Sequence, residues 1–359
     1  MRTSTTLLTV GLLALGTTAQ ECRGNRTEFS SQDQLDELIQ DCSVLADEIR
    51  LVNFEGTLEL PSITNITRLS TRNSSITSAR FPDLENISEY LVIRDEVTSE
   101  ETLRNVSFPR LQHAENITLR FANEIGGVEF PELMNATNIR IINTPNLSFP
   151  ALTNVTYLSI MTGVSNGFPN NDTETPKEIS LPALMDAETL RVIGDVESFT
   201  APNFTNADNL HLAFYGPAVE LSLPKFSPEN NNGALDFTGN IESLSLPKLR
   251  IYRGDFRIST TVPVAIDIGL QSVRELSLHG DIESVYLPLL QEYSKVEVSP
   301  TAGGDFDCGA LEEKLEQTAG PEDENGEFLC GGGASGLVAL GGKWMVGLAG
   351  GVYLLGLVI

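Results

Sequence analysis

The sequence predicts an all-β fold, a right-handed parallel β-helix (solenoid) with disulfide-bonded end caps. Three observations carry this: a proline-marked repeat of about twenty residues, two short alternating apolar segments in every repeat, and cysteines confined to the two ends. The stretch Phe108-Pro109-Arg110-Leu111-Gln112-His113-Ala114-Glu115-Asn116-Ile117-Thr118-Leu119 shows the unit, with apolar residues at Phe108, Leu111, Ala114, Ile117 and Leu119. The same ladder follows Phe130-Pro131, Phe149-Pro150, Leu181-Pro182 and Ala201-Pro202. Prolines stand at 61, 82, 109, 131, 150, 182, 202, 224, 247 and 288, most of them 19 to 27 residues apart. The gap of 32 before Pro182 reads as a loop insertion over 166–177. The gap of 41 before Pro288 reads as two turns with one proline lost. Self-similarity at this period is the mark of a solenoid, in which a single turn cannot bury its own apolar face and stacking supplies the core.

The strands come in two kinds. One follows the ladder, as in Ile117-Thr118-Leu119; the other precedes the proline, as in Val106-Ser107-Phe108, Leu147-Ser148-Phe149, Ile179-Ser180-Leu181 and Leu221-Ser222-Leu223. Period-two alternation places the outer pair inside and the middle residue outside. Proline closes the second strand because it has no N–H to give to the next rung. No repeat has the 10 to 12 residues of helical periodicity that a helical solenoid needs.

At the start of the chain, Arg2, an apolar run from Leu7 to Leu15 and the small residues before Gln20 read as a secretory signal peptide over 1–19. An N-terminal cap with a short helix is expected over 20–60. Ser31 to Ile39 carries Leu35, Leu38 and Ile39 on one face and has Ser31 or Asp33 as N-cap. The repeats occupy 61–300, and a C-terminal cap with an anchor site is expected over 301–333, where Leu311 and Leu315 mark a second helix. Cys22 and Cys42 lie before the repeats, Cys308 and Cys330 after them. An even count in a secreted chain points to disulfides. Of the three connectivities, the local one, Cys22 with Cys42 and Cys308 with Cys330, suits two separate caps. Zinc is the rival reading, weakened by the lack of a close Cys-x-x-Cys pair.

The start Cys22…Phe29-Ser30-Ser31-Gln32-Asp33-Gln34-Leu35-Asp36-Glu37-Leu38…Cys42, the Leu/Phe-Pro-x-Leu repeats and the end Cys308…Leu311…Asn325-Gly326-Glu327-Phe328-Leu329-Cys330 together resemble the fungal GPI-anchored cell-wall organisation proteins. These carry receptor L-domain-like leucine-rich repeats, and the resemblance covers roughly residues 22 to 330. It implies a leucine-rich-repeat-like solenoid and a non-catalytic role in supporting the wall. The residues add two signals of their own. Asn-x-Ser/Thr occurs at Asn25, Asn65, Asn73, Asn86, Asn105, Asn116, Asn135, Asn146, Asn154, Asn171 and Asn203, and none follows Asn203. Small residues at Gly331 to Ser335, a spacer and an apolar tail from Met345 to Ile359 form the pattern of a GPI-attachment signal, removed over 334–359 with attachment at Gly333 or Gly332. A transmembrane helix from Leu337 is the alternative. The expected location is the extracellular face of the plasma membrane, with the membrane engaged through the lipid alone, and the cell wall beyond it.

The formal net charge of −26 argues against nucleic acid as a partner. Against that acidity, the slot of the ladder strand carries Thr118, Arg140, Ser159, Arg191, His211 and Arg257 in successive coils. The basic members, Arg140, Arg191, His211 and Arg257, form a candidate ligand face for a wall polysaccharide or wall glycoprotein, such as a phosphorylated or acidic glycan. The bland alternative is a set of solvated strand residues paired with local carboxylates. The pre-proline slot holds Ser107, Ser148, Ser180, Ser222 and Ser245, which reads as a small-residue ladder for close stacking. An enzyme is not expected: His113, His211 and His279 fall at different repeat positions, no outward row sets two carboxylates on adjacent coils, and no nucleophile elbow, His-Glu-x-x-His or phosphate loop occurs. No metal or cofactor is called for.

Overall fold

A computed structural model describes residues 20–22, 27–94, 103, 105–120, 127–143, 147–165, 168–169, 177–229, 232–301, 306–318, 320–321 and 326–331. The chain divides into two compact units, Met1–Pro145 and Asn146–Ile359.

The first unit is a parallel β-solenoid. Its main sheet is built from Val44–Val52, Asn65–Arg72, Asn86–Arg94, His113–Arg120 and Asn135–Ile142, each parallel to the next. A second sheet stacks Glu55–Glu59, Ser75–Arg80, Asn105–Ser107 and Gly127–Glu129 in the same sense. Each turn thus contributes one strand of each kind, as the two alternating segments predict. Phe81, Leu84, Ile87, Phe108, Leu111, Ile117 and Leu119 are at most 1% exposed. The pre-proline phenylalanines form a column: Phe81 and Phe108 stack at 4.8 Å with 7° between planes, Phe108 and Phe130 at 5.0 Å and 5°. That spacing is the inter-strand distance of a sheet, so the backbone ladder and the ring column share one period.

The proline corner has a definite mechanism. The residue before proline donates its N–H to the next coil, as Leu60 does to the Arg80 carbonyl and Phe81 to the Ser107 carbonyl, both at 3.1 Å. Proline then ends the ladder and sits at the second position of a β-turn, closed by Leu84 N–H to Phe81 C=O and by Leu111 N–H to Phe108 C=O. The opposite corner uses asparagine in the left-handed region, at Asn53 (φ 51°), Asn73 (φ 49°) and Asn143 (φ 57°). Asparagine is the non-glycine residue that tolerates this conformation best.

The N-terminal end is closed by the helix α1, Gln32–Ile39, with Leu35 and Ile39 buried. The Gln32 side-chain amide pairs with the edge strand Glu55–Glu59: its Nε2 donates to the Glu59 carbonyl at 2.7 Å and its Oε1 accepts the Glu59 N–H at 3.1 Å. One side chain so imitates the missing next strand and blunts a sheet edge. Cys22 and Cys42 form a disulfide beside it, with Cα atoms 5.4 Å apart. The first rung, Val44–Val52, already lies within the 20–60 segment, because each coil precedes its proline.

The second unit stacks seven main-sheet strands, Asn154–Met161, Asp186–Gly194, Asn206–Ser222, Ala234–Leu246, Ile251–Ile268, Ser272–Tyr286 and Glu292–Pro300, all parallel. Early in the unit the pre-proline strands Leu147–Ser148, Lys177–Ser180 and Val196–Thr200 are separate. From Asn206 to Tyr286 the strands run on through the corner, where one register position holds Phe214, Gly239, Thr260 and Gly280 in turn, so a glycine at positive φ alternates with a larger residue. A Cβ on Gly239 (φ 97°) would lie 1.9 Å from the Phe214 carbonyl oxygen of the neighbouring coil, and one on Gly280 (φ 103°) 1.9 Å from that of Thr260. The missing proline of the long gap is replaced by Gly269. There Arg250 Nη1 donates to the Pro247 and Gly269 carbonyls, each at 2.7 Å. Most of the insertion before Pro182 lies outside the described residues.

At the far end α2, Cys308–Thr318, buries Leu311 and Leu315, and Glu327–Cys330 adds a parallel strand to Glu292–Pro300. Cys308 pairs with Cys330, Cα atoms 5.8 Å apart. The structure therefore takes the local connectivity at both ends. Among the described residues no helix is long and apolar enough to cross a membrane; the segments 1–19 and 334–359 lie outside them.

Candidate ligand-binding face

The outward slot of the ladder strand is a row in each unit. In the first unit it reads Arg50, Ser70, Val92, Thr118, Arg140 through consecutive strand pairs. In the second it reads Ser159, Arg191, His211, Asp236, Arg257, Ser277, Glu297. The second row contains two carboxylates that the sequence reading passed over, Asp236 and Glu297. A flanking row pairs Asp255 with Glu275 on adjacent coils, against the expectation that no outward row would do so. Asp236 stands between His211 and Arg257, on the coil in which a polar run after Phe226 shifts the strand away from its proline. The alternation Leu235-Asp236-Phe237 was its only signal.

Asp236 reorganises the charge of the row. Its Oδ2 lies 3.1 Å from His211 Nδ1, and Thr238 Oγ1 donates to its Oδ1 at 2.9 Å. These bonds, the one from His211 foremost, hold the Asp236 carboxyl below the ordinary carboxylate range against an opposing push from burial. His211 is thereby oriented with Nδ1 toward Asp236 and Nε2 left over. Arg191 and Arg140 have no ion pair or side-chain hydrogen bond among the described residues.

The serine slot of the pre-proline strand is an outward row too, but a mixed one. It aligns Glu59, Arg80, Ser107 and Glu129 in the first unit, and Ser222, Ser245, Asp267 and Tyr286 in the second. Arg80 and Glu59 form an ion pair at 2.9 Å, and Ser148 and Ser222 are exposed. Small residues are thus not what lets coils approach. The backbone ladder fixes the rung spacing whatever points outward.

A second charged network is specific to three-dimensional register. Arg50 forks onto Glu48 with two contacts of 2.8 Å, and Tyr90 Oη donates to Glu48 Oε1 at 2.8 Å from two strands away. The Arg50 hydrogen bond holds the Glu48 carboxyl down, whereas burial pushes the Tyr90 hydroxyl up. In the second unit Lys177, 3% exposed, begins a strand beside Asp195, whose carboxyl burial pushes up while the Lys177 charge partly offsets this.

The acceptor asparagines fall into a pattern. Asn65, Asn86 and Asn135 occupy one register position, interrupted by His113, at the start of successive main-sheet strands. Asn154 begins its own strand, Asn73 lies at a left-handed corner and Asn105 begins a pre-proline strand. Asn116 donates its amide to the Glu89 carbonyl and Asn203 to that of Pro182, each at 2.7 Å. Asn25, Asn146, Asn171, Gly332 and Gly333 lie outside the described residues. No cluster of three or more His, Cys, Asp or Glu suited to a metal occurs among the described residues.

Comparison with known proteins adds what the geometry alone does not. The chain is 23% identical over 211 residues to "Protein ecm33" of Aspergillus fumigatus, a match covering 52% of this chain and 45% of that protein. It is 24% identical over 232 residues to a "Cell surface GPI-anchored protein" of Arthroderma benhamiae, covering 57% of this chain and 50% of that one. The chain thus matches about half the length of these curated relatives. No family model matches. No solved structure matches significantly. The relatives are fungal, and they support the family indicated by the capped repeats, the fungal GPI-anchored cell-wall proteins.

Proposed function

We propose that this chain is a non-catalytic, N-glycosylated protein of the fungal cell surface, tethered through a GPI lipid at Gly333 or Gly332, that supports the organisation and integrity of the cell wall. The observation that carries this reading is the similarity to a GPI-anchored cell-surface protein, joined to a solenoid closed at both ends by disulfides. Rows of outward side chains repeated every rung suit contact with extended polymers. A wall polysaccharide or wall glycoprotein is the partner class.

A second reading, a surface receptor or adhesin-like module with a specific ligand, is favoured by the row through Arg191, His211 and Arg257. The two share a location and differ in whether one ligand is selected. A polysaccharide-active enzyme is the third. Incubation of the purified protein with wall glucans and mannans separates it: the proposal expects no change in product chain length, and reproducible cleavage contradicts it. The tether is tested by phosphatidylinositol-specific phospholipase, after deacylation of the lipid where needed. Release of the protein from washed membranes is expected, and a mature protein still containing Leu337 to Ile359 contradicts the proposal.

A further inference from the structure

We propose that the outward face of three adjacent strands of the second unit, Asn154–Met161, Asp186–Gly194 and Asn206–Ser222, binds an anionic saccharide whose phosphate or carboxylate is received by Arg191.

Register brings three outward rows together here. The central one is Ser159, Arg191, His211. Arg191 is half-buried and has no ion pair among the described residues, although the chain carries 49 acidic residues against 23 Lys and Arg. A guanidinium stays charged at every relevant pH and presents a fork that fits two oxygens of a phosphate or carboxylate. On one side of it, Asp236 and Thr238 fix the His211 ring and leave Nε2 for an external group. On the other side, Ser159 Oγ is buried with no hydrogen-bond partner. Native proteins seldom leave a buried hydroxyl unpaired, and such a group is where an absent partner belongs.

The flanking rows give the site a saccharide's chemistry instead of a bare ion's. Tyr157, Thr189 and Asn209 align on one flank. They offer a half-buried ring for the C–H face of a sugar and two polar side chains for its hydroxyls. Met161, Ile193 and Ala213 align on the other flank, and although they sit on the outward side they are only 7%, 9% and 1% exposed. A polar flank, a cationic centre and a shielded apolar flank within three rungs differ from the charge-paired rows elsewhere, such as Arg274 with Asp255 at 3.2 Å. None of the residues in these three rows is an acceptor asparagine; Asn154, at the start of the first strand, lies outside them.

The test is calorimetric titration of the full-length glycoprotein with mannose 6-phosphate, glucuronic acid, inorganic phosphate and mannose. The expected result is heat from at least one of the two anionic sugars, at least tenfold tighter than for mannose or for phosphate alone. Arg191→Gln should weaken it at least tenfold, Arg191→Lys less, and Arg274→Gln not at all; which anionic sugar binds identifies the charged group. Ser159→Ala should weaken binding a few-fold while leaving the melting temperature unchanged. Absence of binding by both anionic sugars, equal binding of mannose, equal binding of inorganic phosphate, or undiminished binding by a folded Arg191→Gln protein overturns the proposal. The wall reading enters only in the choice of saccharides as probes: failed binding leaves that reading standing, and failed wall complementation leaves the site standing.

Discussion

Asp236 shows how one residue changes the meaning of a row. Without it, Arg191, His211 and Arg257 form a basic stripe; with it, His211 is engaged, Arg257 has a carboxylate as its register neighbour, and Arg191 has no ion pair among the described residues. The carboxyls of Asp236, Glu48 and Glu297 are all held below the ordinary range, by His211, Arg50 and Lys295 respectively. A carboxyl lowered on folding stabilises the fold above its unfolded value, near pH 4, and that stabilisation is lost as pH falls through the folded value. Asp195 has the opposite sign, since burial raises it: its contribution is present at low pH and lost as pH rises through its folded value. Three against one, the melting temperature should fall on acidification below about pH 4. Asp236→Asn should flatten part of that fall, as thermal melts between pH 2.5 and 7 would reveal; an unchanged slope would remove the His211 bond from the account. The backbone provides a sharper residue test. Gly239→Ala puts a Cβ against the Phe214 carbonyl at a positive φ and should cost about 1–3 kcal/mol or more by chemical denaturation, whereas a neutral effect would mean that the corner is freely adjustable.

At the scale of elements, the coil was legible in the sequence because one short code repeats. An apolar residue before proline, a leucine or phenylalanine two residues after it, and an alternating strand beyond are local features, and Phe81, Phe108 and Phe130 stack as that code requires. Register between coils is not local. The polar run after Phe226 displaced Asp236 from its proline, and the pairing of Gln32 with Glu59 joins a helix and a strand 27 residues apart. Neither has a compositional signature. The serine slot misled for a related reason: composition suggested a ladder of small residues, whereas the row also carries Arg80, Glu129 and Asp267. Phe108→Ala removes the middle ring of a column and should cost about 3–5 kcal/mol, measured by urea unfolding. Gln32→Ala uncovers the edge of Glu55–Glu59, and size-exclusion chromatography should show more self-association than in the parent protein. Removal of the Cys22–Cys42 bond should destabilise by about 3 kcal/mol for a loop of this size.

For the whole molecule, the cysteines were the most readable feature, because their pairing follows from sequence position alone. Disulfides occupy both ends, and the start-of-strand position holds Asn65, Asn86 and Asn135 in one row of the first unit. Glycopeptide mapping should therefore find N-glycan almost wholly on peptides before Thr205, and abundant glycan beyond it would contradict that distribution. The fold and its relatives together support a capped cell-surface solenoid, and the role proposed for it is to serve the wall without catalysis. Cell-wall stain sensitivity of a deletion strain resupplied with this chain tests that most directly. The account predicts that deletion raises sensitivity, that the intact chain restores resistance and that an anchorless chain does not; normal resistance in the deletion strain, or failure of a correctly displayed intact chain to restore it, would contradict it.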